Sequence, residues 1–140
     1  MSDLTADRLE LRYLVEAYAR AADTRDADLV CACFVDGGTL TVHWLGRDPS
    51  TMVMPGDAER IPQGLARYER TMHFVGNHHA EVDGDDATGE TYCFAHHING
   101  TDDHVMAIRY EDTFRRDAGT WRFTGRHLRL EWTQDTTVSR

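Results

Sequence analysis

No apolar run in this chain approaches the roughly 18 residues that a membrane-spanning helix needs. The opening residues, Met1 to Asp7, are acidic and lack the apolar stretch of a secretory leader, so no signal peptide is expected. Cysteine is scarce and odd in number. Cys31, Cys33 and Cys93 show no CxxC spacing, which excludes a disulfide framework or a thiolate metal site and favours a reducing cytoplasm. Positive charge is short as well: 15 basic residues stand against 24 acidic ones, a formal net charge of −9. That balance speaks against nucleic acid or an anionic membrane as partner. No GxSxG, P-loop, Rossmann or HExxH motif occurs, and there are no repeats or low-complexity tracts. What is present is 140 residues, 41% hydrophobic and 28% charged, which suits one domain, 1–140, with a single core.

Helical spacing comes first. Leu11, Leu14, Val15, Tyr18 and Ala22 form an amphipathic stripe, predicting a helix from about Ala6 to Ala22 with Thr5 as its cap and Asp7 in its first turn. Asp26 is placed to cap a shorter helix, Ala27 to Phe34. Asp36-Gly37-Gly38 reads as a turn and Thr39 to Trp44 as a strand. Leu45 to Ile61 holds two of the three prolines and reads as a long loop, an ordered lid. Pro62 suits the start of a further helix to about Arg70. Four strands follow, His73 to Val82, Ala87 to His97, His104 to Arg116 and Thr120 to Trp132, separated by Gly- and Asp-rich turns. Helices followed by a strand meander predict an α+β domain, with helices covering one face of a curved antiparallel sheet.

The strand from Thr71 to Val82 carries three histidines and an asparagine where a buried strand would carry aliphatic residues. Strict alternation puts His73, Val75, Asn77 and His79 on one face and Phe74, Gly76, His78 and Ala80 on the other. The face with His73 and Asn77 would set a titratable group and an amide into an apolar wall, which suits a general base or a polarising donor; a satisfied core histidine is the plainer reading. Asp23 stands at the C-terminal end of the first helix, where the helix dipole and partial burial would raise its pKa and let it orient a histidine; a solvated turn residue is its plainer reading. Tyr18 lies just over one helical turn before it and offers a phenol to a substrate oxygen. Tyr92 and Tyr110 are less specific candidates of the same kind. Among the arginines of the last two strands, one pointing inward would hold an anionic group. The pairs His78-His79 and His96-His97 point to opposite faces, so neither chelates one ion; His79 and His97 could converge across strands, but the spacing does not require it and no metal is expected.

Taken together, these residues resemble the SnoaL-like branch of the nuclear transport factor 2-like superfamily. The matching pieces are Tyr18-x4-Asp23-x2-Asp26, Cys33-Phe34-x-Asp36, His73-x3-Asn77, Val82-Asp83-Gly84-Asp85-x-Ala87, Tyr110-x3-Phe114-Arg115-Arg116-Asp117 and Trp121-Arg122-Phe123-x2-Arg126. The resemblance implies a cone-shaped, mixed or antiparallel curved sheet closed by N-terminal helices around an apolar pocket, as in cystatin-like folds, in a homodimer or homotrimer. Scytalone dehydratase, hexachlorocyclohexane dehydrochlorinase, bile acid dehydratase and polyketide cyclases share it. It maps the dehydrochlorinase Asp and His onto Asp23 and His73, and the bile acid dehydratase set onto Tyr18, Asp23, His73 and Arg126. The implied activity is a cofactor-independent lyase or isomerase. His73, oriented by Asp23, would take a carbon-bound proton from a small hydrophobic cyclic substrate, with Asn77, Tyr92 and Tyr110 binding it. The other expectation is a non-catalytic binding or assembly module, like the small subunits of ring-hydroxylating dioxygenases.

Overall fold

The computed structural model describes residues 3–140. Its elements are α1 (Leu4–Asp23), α2 (Ala27–Ala32), β1 (Phe34–His43), β2 (Ser50–Val53), α3 (Arg60–Leu65), β3 (Arg70–Asp83), β4 (Asp86–Asn99), β5 (Asp102–Asp117) and β6 (Thr120–Thr137). Helix α1 starts earlier than Thr5 suggests, because the Asp3 carboxylate accepts from the amides of Thr5 (2.9 Å) and Ala6 (3.3 Å). Its apolar stripe is buried as the spacing requires. Asp7 is more than a partner of the helix dipole. It is buried and accepts from the Trp121 indole (3.1 Å) and the Arg116 guanidinium (2.9 Å), fastening the first turn of α1 to β6 and β5. Asp26 caps α2 through the Leu29 amide (3.0 Å), and α2 stops at Ala32, so that Phe34 opens β1 instead of closing a helix.

One six-stranded, unclosed sheet runs β2-β1-β6-β5-β4-β3. Strands β3 to β6 form the expected antiparallel meander, while β1 lies parallel to β6 and antiparallel to β2. Asp36-Gly37-Gly38 is not a turn between elements. It lies inside β1, where the register against β6 slips between Phe34 and Thr39, and a Cβ at Gly38 would sit 2.9 Å from the Val35 carbonyl oxygen, so only glycine fits. The stretch read as a loop from Leu45 to Ile61 contains β2, the buried Met54 and the start of α3. It folds β2 and α3 over the mouth of the concave side.

Strand β3 is an edge strand, and α1 covers it. Arg12 of α1 donates to the carbonyls of Gly76 and Val75, and the Asp23 carboxylate accepts from the His73 amide (3.0 Å). Three backbone groups of the edge strand, the Val75 and Gly76 carbonyls and the His73 amide, are thereby satisfied from within the chain. Asp23 is held at that edge by the backbone before any chemistry is asked of it. Tyr18, Phe34, Phe114 and Phe123 pack edge-on or stacked in the core between α1 and the sheet.

Candidate functional site

The strand that carries His73 does not alternate evenly. The β3–β4 register slips between Val75 and His78, so the inward set is Thr71, His73 and Val75 before the slip and His78, Ala80 and Val82 after it. The extra residue reverses the parity of everything downstream. Asn77 is therefore exposed, not the inward partner of His73, and His78 takes the inward place, its Nδ1 3.0 Å from the Thr91 hydroxyl.

His73 and Asp23 meet. His73 Nδ1 lies 2.7 Å from Asp23 Oδ1, and the side chains are 8% and 26% exposed. A carboxylate only accepts, so Nδ1 carries the hydrogen and Nε2 keeps the lone pair. Asp23 also accepts from the Thr71 hydroxyl (3.0 Å), which accepts in turn from Arg25 (2.7 Å). Arg25 sits at φ 58° just past α1 and also donates to the carbonyls of Ala22 and Leu65. One guanidinium thus ties the end of α1, α3 and β3 together behind the pair. The raised Asp23 pKa expected from the helix dipole is not found. Burial does work against the charged form, but the hydrogen bonds from the His73 ring and amide and from the Thr71 hydroxyl outweigh it and hold the carboxyl below its ordinary value. Asp23 is ionised and fixes the His73 ring through Nδ1.

His73 forms part of the wall of a cavity of about 260 Å³ between the concave sheet face, α1, β2 and α3. The remaining wall is largely aliphatic, with Leu40, Val42, Met52, Ile108, Leu128 and Leu130. Tyr18 and Tyr110 line it from α1 and β5. Burial pushes the Tyr18 phenol up to about 12 against the opposing charge of Arg126, so the ring keeps its proton and can only donate or accept a hydrogen bond.

Besides Asn77, two more expected site residues lie elsewhere. Tyr92 is on the outer sheet face, 40% exposed, with Arg109 stacked 4.8 Å over its ring. Arg126 points inward but stops behind the cavity wall. It is 1% exposed, bound to Asp112 (3.0 Å), and its guanidinium lies 3.6 Å over the Tyr110 ring and 4.5 Å over that of Tyr18. The resemblance puts Arg126 at the site, but the two tyrosines stand between it and the cavity. His79 and His97 do not converge, since His79 is exposed opposite Glu90 and His97 is buried opposite Thr71.

One cavity residue was weighed from sequence only as a metal ligand. His97 is 3% exposed, its ring 5.9 Å from that of His73 and roughly perpendicular to it. Its Nδ1–H donates to the His104 carbonyl (2.9 Å), leaving Nε2 as an acceptor. Burial pushes its pKa down to about 4; the bond to the His104 carbonyl opposes this and the neighbouring His73 adds to it. The signal available was the alternation Cys93-Ala95-His97, small residues sharing a face with one histidine. A pH effect follows. The folded value lies below the ordinary 6.5, so the unfolded chain takes up a proton that the folded chain refuses. Stability from His97 is fully present above about 6.5 and lost as pH falls toward 4, at a cost of up to about 3 kcal/mol. His78, also pushed down to about 4 by burial, contributes with the same sign. Asp112, pushed up to about 6 by burial, contributes with the opposite sign, its stability being lost as pH rises through 6. Denaturation midpoints measured from pH 7 to pH 4 should fall, and less steeply in His97→Gln; parallel curves for the two proteins would contradict this assignment.

Against known proteins, residues 3–127 match the SnoaL-like domain family. The uncharacterised protein Rv2910c of Mycobacterium tuberculosis is 27% identical over 124 residues, covering 86% of this chain and 83% of its own. The hexachlorocyclohexane dehydrochlorinase LinA-type3 of Novosphingobium barchaimii superposes with a TM-score of 0.81 at 20% identity, covering 94% of this chain and 91% of its own. A scytalone dehydratase-like protein of Novosphingobium aromaticivorans gives a TM-score of 0.77 at 21% identity, covering 96% and 91%. At such identities the solved structures speak to the fold alone, a mixed α+β one with N-terminal helices on a curved, unclosed sheet. The match over residues 3–127 speaks to more: the chain belongs to the SnoaL-like domain family.

Proposed function

We propose that this protein is a cofactor-independent lyase or isomerase acting on a small, largely apolar cyclic molecule. The observation that carries the reading is the 2.7 Å contact between His73 Nδ1 and the ionised Asp23 at the wall of an aliphatic cavity. In the proposed reaction His73 Nε2 removes a proton from a carbon of the bound substrate. Asp23 keeps the imidazole in the required tautomer and supports the imidazolium that forms. Tyr18 and Tyr110, both protonated, donate to an oxygen or leaving group on which negative charge grows. His97, neutral and acceptor-only at Nε2, orients a hydroxyl or hydrated group of the substrate. Arg126 does not touch the substrate; its charge acts through the faces of the two tyrosines. The dehydrochlorinase and dehydratase-like neighbours favour elimination over other proton-transfer outcomes. The test is turnover of small cyclic compounds chosen by thermal stabilisation of the protein. Activity must vanish in folded His73→Asn, and full activity in that variant would reject the reading.

The outer sheet face supports a homo-oligomer. Phe74 (66% exposed), Phe94 (48%) and Trp132 (55%) align with Ala107 on paired rungs of β3, β4, β6 and β5, a contiguous apolar row that a monomer would leave wet. Light scattering should return a dimer or trimer mass for the wild type and a smaller mass for Phe74→Glu; a wild-type monomer would contradict this.

A further inference from the structure

The net charge of −9 does not extend to the cavity. Among the described residues the ionic groups lining it are Arg60 and Arg67 beside the two histidines, and no carboxylate lines it, since Asp23 stands behind His73 on the groove along α1. All 15 basic residues of the chain are arginines, and a guanidinium presents a planar fork matched to a carboxylate. Arg67 lies 4.9 Å over the Tyr68 ring and donates to its hydroxyl (3.1 Å), with no carboxylate in ion-pair range among the described residues. Arg60 is half exposed, and its nearest carboxylate, Asp57, is 3.8 Å away, too far for a hydrogen bond. A third guanidinium, Arg47, stacks 4.0 Å from the centre of Trp44, another lining residue.

This rim is joined to the reacting pair. Tyr68 packs 4.9 Å from His97, and His97 stands 5.9 Å from His73. At the deep end the picture is reversed. There the cavity meets phenols, and the one guanidinium behind them, Arg126, is already matched by Asp112. An anion entering the cavity therefore finds its partners at the mouth. The distant acidic residues that give the chain its net charge act through solvent and are screened beyond about 8 Å at physiological salt, so the nearby guanidiniums decide the local preference.

We propose that the cavity selects an amphipathic anion, a compact apolar ring system whose carboxylate stays at the mouth between Arg67 and Arg60 while the ring carbon to be deprotonated lies against His73. The proposed function enters only in that last clause; the selection itself is a binding property and is measured without turnover. Isothermal titration compares 2-naphthoate with its neutral isostere 2-naphthamide on the wild type, on Arg60→Gln/Arg67→Gln and on His73→Asn. The acid should bind the wild type about tenfold more tightly than the amide, as suits two half-exposed guanidiniums, and the gap should shrink with added salt. The arginine double variant should bind both alike, and His73→Asn should keep the preference. An acid that binds no better than the amide, or does not bind, overturns the proposal, as does a preference that survives in the double variant. A preference lost in His73→Asn would put the anion at the His–Asp pair and overturn the rim equally. Failure of the proposed function would look different, as intact selection by a protein with no turnover.

Discussion

Replacing His73 by asparagine is expected to lower turnover by about four orders of magnitude, with the fold intact. General-base transfer by a positioned side chain is worth roughly 10²–10⁴, and loss of a base leaves only binding and charge stabilisation. The fold should survive because the strand is held at this point by its backbone: the His73 amide still donates to Asp23 and the β3–β4 ladder is unchanged. Asp23→Asn is the sharper variant. An amide side chain no longer demands Nδ1–H from the imidazole, so the ring is free to present the wrong nitrogen to the cavity. The expected loss is of similar size, roughly 10²–10⁴. It should be accompanied by lower stability, because Asp23 also accepts from the Thr71 hydroxyl and closes the network through Arg25. Steady-state rates beside circular dichroism separate the two effects. An Asp23→Asn enzyme of wild-type rate would show that the carboxylate does not set the tautomer.

The second large effect concerns stability. Asp112 and Arg126 are 0% and 1% exposed at their side chains, and Asp112 is the one carboxylate paired with this guanidinium among the described residues. The Arg126 terminal nitrogens have no hydrogen-bond partner among the described residues; they lie over the Tyr18, Tyr110 and Phe123 rings. Burial disfavours the charge on Arg126, and Asp112 more than restores it. Asp112→Ala removes that support and leaves a buried charge with only ring faces for company. The expected cost is about 3–5 kcal/mol, while replacing both members by apolar residues of similar volume should be close to neutral. Urea denaturation of Asp112→Ala, Arg126→Met and Asp112→Leu/Arg126→Met gives the comparison. A double variant as unstable as Asp112→Ala would show that the pair itself stabilises the core. The same double variant bears on function, because it removes the charge behind the two phenols without touching the cavity wall.

The sequence carried the α1 stripe, the α2 cap and the β3–β6 meander, since periodicity and turn residues are local signals. It also carried Asp23 and His73, one at a helix end and one at a strand start, where one-residue errors do not accumulate. Asn77 was lost to the slip beside Gly76, which a strict period of two cannot anticipate and which Arg12 fixes from 63 and 64 residues away in the chain. Tyr92 was lost because β4 turns its large aromatics outward and its small residues, Cys93 and Ala95, inward, leaving room for α1 and the cavity. Hydropathy alone reads that strand backwards. Arg126 entered the site set only through the resemblance, and its depth has no local signal, because depth depends on which side chains from other elements stand in front. The parallel pairing of β1 with β6, and the antiparallel pairing of β2 with β1, depend on long-range closure and left no local trace.

In the proposed reaction His73, held by Asp23, takes a proton from carbon. The most direct measurement follows deuterium from solvent into a bound cyclic compound, by mass spectrometry, for the wild type and His73→Asn in D2O. The wild type should exchange the carbon-bound hydrogen, or eliminate across that carbon, while folded His73→Asn leaves it in place. Exchange at the same rate in both proteins would contradict the account.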